Sequence, residues 1–436
     1  MEKTLSGLKQ VLITLAAILI ASESALALPI FARRYETSCT TCHAIIPKLN
    51  PLGVAFRNNG YRIPLNDERL LKSEDISIGA PAWKQLWPKA VWPGKISGMP
   101  PIAFRAALDT NIRPSQPVNL NFDFPANLSL YFAGPAGDTV SFFGSLFMIG
   151  ASNTLVIDRA YAQFRLLPEK PGSNLVVLKV GRIDSRVEPF SSTNRKVTNQ
   201  HFNISDFRPL NDSLRFRDKD SGIEIWGAQT GPDDRGGLEY AAGIVQGTSG
   251  ATENNNFKDS YWSASYKFGG HGVVGSRQER EGLMPINNYA EKSIQIGTYG
   301  YRGKGITRPT GIPVENQFTR TGFKLDAYYG NLNVYGAVTM GQDNVKDVVP
   351  RSVETSAFYA EADYMLLPWV MPVARFEKTN FNDGRRNVKQ FVPAVVMAVR
   401  ANVRVVVEGR FFNRLSTTGT ARTGLNEGLI RLEFAF

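Results

Sequence analysis

The sequence predicts a mainly β fold, a closed antiparallel sheet of about 16 strands, with a small α-helical segment ahead of it. Three observations predict this. From Ile102 to the end, apolar and polar residues alternate with a period of two. The segments so marked are about ten residues long and are joined alternately by tight and by long connections. Residues 28–101 lack that period and read as short helices and loops. The expected organisation is a leader over 1–27, an N-terminal segment over 28–101 and the sheet over 102–436.

The leader comes first in the chain. Lys3 and Lys9 form a positive start, Val11 to Ile20 an apolar stretch, and Ala25-Leu26-Ala27 a small-residue cleavage site. The apolar stretch is shorter than the roughly 20 residues a membrane helix needs. Cleavage would remove Lys3 and Lys9 with Glu2 and Glu23, leaving the formal charge at +11. A basic balance suits nucleic acid, anionic lipid or an acidic partner. Here the basic residues are spread along an exported chain, which argues against nucleic acid.

Within 28–101 stands Cys39-Thr40-Thr41-Cys42-His43, and Cys39 and Cys42 are the only cysteines in the chain. This is the C-x-x-C-H pattern of covalent haem attachment. Two thiols at this spacing can form thioethers to two vinyl groups from one helical turn. The following imidazole can then ligate the iron as the proximal ligand. The same cysteine pair is compatible with a disulfide in an exported protein or with half a zinc site. No second zinc half follows, and the adjacent His43 favours one covalently bound haem c.

Local signals fill in the segment. Ser38 can cap a helix carrying the motif, which Pro47 keeps short. Asn50-Pro51 reads as the cap and first residue of a second helix, with Gly60 just past its end. Ala44, Ile45, Leu49, Leu52, Ala55 and Phe56 could wrap a haem. Trp83, Trp87 and Trp92 fit core packing, or anchoring at the mouth of a barrel. For the distal iron position the candidate is Met99, in a Met-Pro sequence; His201 is next, and an open position is the third possibility. The remaining histidine is His271.

The predicted strands are 102–112, 118–132, 138–150, 154–167, 175–184, 218–228, 237–247, 260–269, 290–304, 317–329, 332–342, 353–367, 369–380, 388–400, 401–413 and 425–436. In 317–329, Arg320, Gly322, Lys324, Asp326 and Tyr328 share one face. Thr321, Phe323, Leu325, Ala327 and Tyr329 share the other. The polar faces carry charges of both signs, as a water-filled lumen would. The apolar faces are rich in small and aromatic residues, as a lipid face allows. The pattern is therefore that of an outer-membrane β-barrel rather than a soluble sandwich. Tight connections are expected at Gly134-Pro135-Ala136-Gly137, Gly330-Asn331, Leu367-Pro368 and Ala401-Asn402. Long ones are expected at 185–217, 248–259, 305–316 and 343–352. The connection over 268–290 is long where the rhythm wants a turn. The terminal Phe436 resembles the end of bacterial outer-membrane proteins.

Pro29-Ile30-Phe31-Ala32-Arg33-Arg34-Tyr35, the C-T-T-C-H run and the long β-array ending in Phe436 together resemble the fused cytochrome–porin family. That family joins a monohaem segment to an outer-membrane barrel and includes outer-membrane iron oxidases. The resemblance implies haem on Cys39 and Cys42, with His43 on the iron. It also implies oxidation of extracellular Fe(II), or of another redox-active metal, with electrons passed to a periplasmic cytochrome. The haem segment would lie on the periplasmic side or within the lumen. Electron export to an extracellular acceptor, and a diffusion porin with a haem-bearing plug, use the same parts. Glu361, Asp363, Glu377 and Glu408 are candidates to attract cations from the lumen wall. Arg320, Lys324, Arg375, Arg404 and Arg410 oppose that, and are candidates to face the haem propionates.

Overall fold

A computed structural model describes residues 30–64, 67–72, 75–77, 85, 95–97, 101–114, 117–149, 155–168, 170–187, 197–198, 204–205, 215–248, 255–275, 289–307, 314–346, 350–382, 387–415 and 421–435. Met99, His201, Trp83, Trp87, Trp92 and Phe436 lie outside the described residues.

The N-terminal segment contains α1 (Ile30–Arg34), a 3-10 turn (Cys39–Thr41), β1 (His43–Ile45), β2 (Lys48–Leu49), α2 (Pro51–Asn58), α3 (Asp67–Leu70), β3 (Asp75–Ser77) and β4 (Lys95–Ser97). Sixteen further strands follow. They are β5 (Ile102–Ile112), β6 (Leu120–Ala136), β7 (Val140–Ile149), β8 (Val156–Arg165), β9 (Ser173–Asp184), β10 (Lys219–Thr230), β11 (Gly237–Val245), β12 (Asp259–Gly269), β13 (Glu291–Thr307), β14 (Val314–Gly330), β15 (Leu332–Lys346), β16 (Arg351–Tyr364), β17 (Val370–Phe381), β18 (Val388–Arg400), β19 (Val403–Leu415) and β20 (Ala421–Ala435). Each pairs antiparallel with its neighbours. β20 returns to β5, with Leu432 opposite Leu108 and Ala435 opposite Arg105. Closure leaves no unpaired edge, which a sheet in lipid requires.

The cylinder is turned inside out relative to a soluble protein. On β14, Arg320 and Asp326 are buried while Phe323, Leu325 and Tyr329 are exposed. On β16, Glu361 and Asp363 are buried while Phe358 and Tyr364 are exposed. Period-two alternation therefore places charge in the lumen and an apolar belt outside, a surface suited to lipid. The predicted strands match the observed ones to within a few residues. One turn is displaced: β6 runs on through Gly134, Pro135 and Ala136, and the chain reverses at 137–139, where Gly137 takes φ 77°.

The lumen is occupied by the chain's own N-terminal segment. Lys48 donates to Asp363 of β16 and, at 2.7 Å, to Asn333 of β15. On the other side, Tyr61 and Tyr161 of β8 share a hydrogen bond of 3.0 Å. β8 and β16 stand opposite each other in the circle. A segment that touches inward side chains of both can only lie between them. Asn58 donates to Glu239 of β11 at 2.9 Å, and Arg404 of β19 donates to the Ile46 carbonyl at 2.6 Å. Of the two placements expected for this segment, the structure has the one within the lumen, as a plug whose core is shared with the wall. Phe31, Tyr35, Phe56 and Tyr61 pack together and meet Phe143 of β7, with 5.9 Å between the Tyr61 and Phe143 rings.

Two connections also turn inward. In the one after β9, Val187, Val197, Thr198, Ile204 and Ser205 are buried, and Ile204 packs on Tyr335 and Tyr359. The over-long connection after β12 also has a role. Val273 and Val274 pack against Trp226, and their carbonyls accept from Asn58 at 2.8 Å and Asn59 at 2.7 Å. Val273 and Val274 thus clasp the plug.

Lys48 is 2 % exposed and Asp363 1 %. Removing one partner of a buried pair costs about 3–5 kcal/mol. Lys48→Met is expected to let the N-terminal segment release from the lumen in urea before the barrel unfolds, read by protease cleavage within 30–72.

Candidate functional site

The C-x-x-C-H residues form a tight turn rather than the predicted helix. Ser38 caps it: its hydroxyl accepts from Thr40 N at 3.3 Å and its carbonyl from Thr41 N at 3.0 Å. Cys42 N donates back to the Cys39 carbonyl at 3.2 Å. The chain then extends, so His43 lies on β1. Pro47 closes the hairpin to β2, and Asn50 caps α2 as expected, accepting from Gly53 N at 2.9 Å. Gly60 sits just past α2 with φ 67°.

Asn50 also ties helix to turn. Its amide donates to the Thr41 carbonyl at 2.9 Å, and its backbone N–H to the Cys42 carbonyl at 3.0 Å. Gly53 completes the lock, because a Cβ there would stand 2.1 Å from the Cys42 carbonyl oxygen. Alanine in a helix normally gains about 1 kcal/mol over glycine. Gly53→Ala is expected to reverse that sign and lower stability by about 1–3 kcal/mol through overpacking, measured by thermal unfolding.

The His43 imidazole has a fixed tautomer. Nδ1 lies 3.2 Å from the Pro47 carbonyl oxygen. A carbonyl only accepts, so Nδ1 carries the proton and Nε2 keeps its lone pair. Burial, with Arg404 nearby, lowers the His43 pKa to about 4, so the ring is neutral at physiological pH. Burial, together with Cys39 nearby, raises Cys42 to about 12, and burial also raises Cys39. Both cysteines are free thiols. This is unlike a redox C-x-x-C, which needs an available thiolate. Among the described residues no third metal ligand gathers around them.

The donor chemistry is that of a haem site, two unpaired thiols on one turn and one neutral imidazole, while the space beside it is closed to about the size of one water. A cleft of about 10 Å³ beside Cys39 and His43 is walled by Ala398, Arg400, Ala401, Val403 and Arg404. These belong to β18, β19 and the tight turn between them. The sequence reading missed this wall. Ala394 and Val396 of β18, with Met371 and Val373 of β17, form an inward apolar panel against which Ala44 and Ile45 pack. Its signal was present, because Phe391–Val399 is apolar on both faces. Ala44, Ile45 and Phe56, expected around a haem, take part in seating the plug.

The candidate cation-attracting carboxylates are engaged as well. Arg375 Nε is 2.8 Å from Glu377 and its Nη1 3.7 Å from Glu361. Lys48 takes Asp363, and Arg410 is 3.8 Å from Glu408. Of the arginines proposed for propionates, Arg320 pairs with Asp343 at 2.9 Å and Arg404 with Glu433 at 3.1 Å. These lumen charges are largely one another's partners.

The fold defines a porin-like outer-membrane barrel of sixteen strands. The barrel resembles the anion-selective porin of Comamonas acidovorans, with a TM-score of 0.51 and 9% identity over 77% of this chain and 99% of that one. It also resembles the outer-membrane channel DcaP of Acinetobacter baumannii, with a TM-score of 0.51 and 13% identity over 77% and 96%. At these identities the likeness is one of fold. No protein-family description matches the chain, and no curated protein matches it in sequence.

Proposed function

We propose that the chain is a bacterial outer-membrane electron-transfer protein carrying one haem c, attached to Cys39 and Cys42 and ligated by His43. In this reading it oxidises extracellular Fe(II) and passes the electron to a soluble periplasmic cytochrome, as an iron:cytochrome c oxidoreductase. The observation that carries the proposal is the C-x-x-C-H turn itself, held inside a lipid-type barrel with Nδ1 of His43 fixed by the Pro47 carbonyl. When bound, the haem would supply one-electron exchange, the stoichiometry of the Fe(II)/Fe(III) couple.

The chain's own residues do the positioning. Ser38, Asn50 and Gly53 fix the turn, Pro47 orients the imidazole, and Lys48 anchors the hairpin to the wall. Both ends of the barrel segment and its tight turns lie at one rim, the periplasmic one by the habit of such barrels. The cleft beside Cys39 reaches the Ala401-Asn402 turn, which supports electron delivery on that side. Met99 remains the proposed distal ligand.

The shared fold with two channels favours a second reading, a diffusion porin with the segment as its plug. Burial of Glu224, Arg320, Glu361 and Arg375 in the lumen weighs against a wide pore. A redox titration of the purified protein separates the readings. Prompt reduction of the ferric haem by added Fe(II) is expected. A haem that answers only to periplasmic-type reductants would reverse the direction of electron flow, and solute flux without a redox response would leave the porin.

A further inference from the structure

One flank of the outer wall carries positive charge where the apolar belt ends. Glu377 of β17 and Gln390 of β18 are buried in the lumen, so their neighbours Lys378 and Lys389 face outward. Both lie close to the strand ends at Phe381 and Val388, at the rim opposite the tight turns Leu367-Pro368 and Ala401-Asn402. The two lysines stand directly opposite each other in the register. One outward position nearer the belt, Phe376 stands opposite Phe391, and Phe391 opposite Phe411. All three rings are exposed.

Like charges directly opposite on one face of a sheet repel. Among the described residues neither lysine has an ion pair or hydrogen bond to offset this. The residues in register on either side, Phe358 of β16 and Asn413 of β19, carry no negative charge. Elsewhere on this flank a carboxylate is supplied: Glu315 of β14 lies 2.6 Å from Lys304 of β13 and 2.9 Å from Lys346 of β15. On β5 and β6 the outward positions near the same rim are Ile112, Leu120 and Phe122, which need no counter-ion. The lysine pair is therefore a local feature and not a property of the whole rim.

We infer that Lys378 and Lys389 bind a phosphate of a phosphorylated glycolipid in the outer leaflet, whose acyl chains lie along Phe376, Phe391 and Phe411. Directly opposed Cβ atoms are about 5 Å apart, so both ammonium groups can reach one phosphate. Lysine serves phosphate as a point charge. Aromatic girdles mark the edge of the apolar belt, so the phenylalanine row sets the depth at which the headgroup meets the lysines. A free inorganic anion would use the lysines but not the rings. The inference rests on the outer-membrane barrel and not on the haem.

The test is native mass spectrometry of the full chain in detergent, titrated with diphosphoryl lipid A and with the same lipid stripped of its phosphates. Heat-dependent gel migration checks that each barrel is folded. Wild type is expected to bind the phosphorylated lipid about tenfold or more tightly than the stripped one. Lys378→Gln with Lys389→Gln is expected to remove that preference, and Lys378→Arg with Lys389→Arg to keep it. Lys170→Gln, in the turn between β8 and β9 at the opposite rim, should leave it unchanged. Equal binding of the two lipids by wild type would overturn the inference, as would a preference that survives the glutamine pair or a loss that Lys170→Gln shares. Displacement of the lipid by inorganic phosphate would assign the lysines to a free anion and overturn it as well.

Discussion

His43→Ala is expected to abolish the low-spin haem spectrum and to lower Fe(II) oxidation by at least about 100-fold, the upper range for loss of a group that tunes a metal centre. The imidazole is the only described side chain placed to ligate iron from the turn, and its tautomer is set for that role. The barrel should assemble as before. β1 pairs only with β2, and no barrel strand depends on His43 for its register. The lost bond to Pro47 costs about 1 kcal/mol, too little to release the plug. Outer-membrane fractionation reads the assembly, and the visible absorption spectrum of those membranes reads the spin state of the iron. Fe(II) oxidation at the wild-type rate in this variant would contradict the proposed function.

Removing residues 28–101 is expected to turn a nearly closed barrel into an open one. Closure runs through β20 and β5, outside the deleted segment. Glu239, Asp363 and Arg404 would lose their plug partners but gain water. Sixteen-stranded barrels leave an aqueous channel when nothing fills them, so single-channel conductance should rise by about tenfold or more over the full chain. An unchanged conductance would mean that the inward-turned connection after β9, rather than the plug, closes the lumen.

The barrel was legible because its determinants are local and repeated. Alternation along Thr321–Tyr329 or Phe358–Tyr364 depends only on which face meets lipid, and each strand states it independently. Asn50-Pro51 and Gly60 were legible for the same reason, since capping is a matter of neighbouring residues. The seating of the plug was not. Lys48 with Asp363, Asn58 with Val273 and Tyr61 with Tyr161 join residues far apart in sequence. Nothing near Lys48 announces a buried partner. The motif's turn was misread as a helix because the C-x-x-C spacing also suits a 3-10 turn, which Asn50 and Gly53 select from outside the motif. The excess length of 268–290 was visible, and the plug contacts of its first residues, Val273 and Val274, were not.

The central claim is that a porphyrin is bound covalently to the turn within the lumen. Intact-mass spectrometry of the mature chain from outer membranes, followed by mapping of the peptide that contains Cys39 and Cys42, tests it most directly. The account predicts the added mass of one haem on that peptide and no cysteine that alkylates after unfolding. A mature chain of bare polypeptide mass, with both thiols open to alkylation, would contradict it.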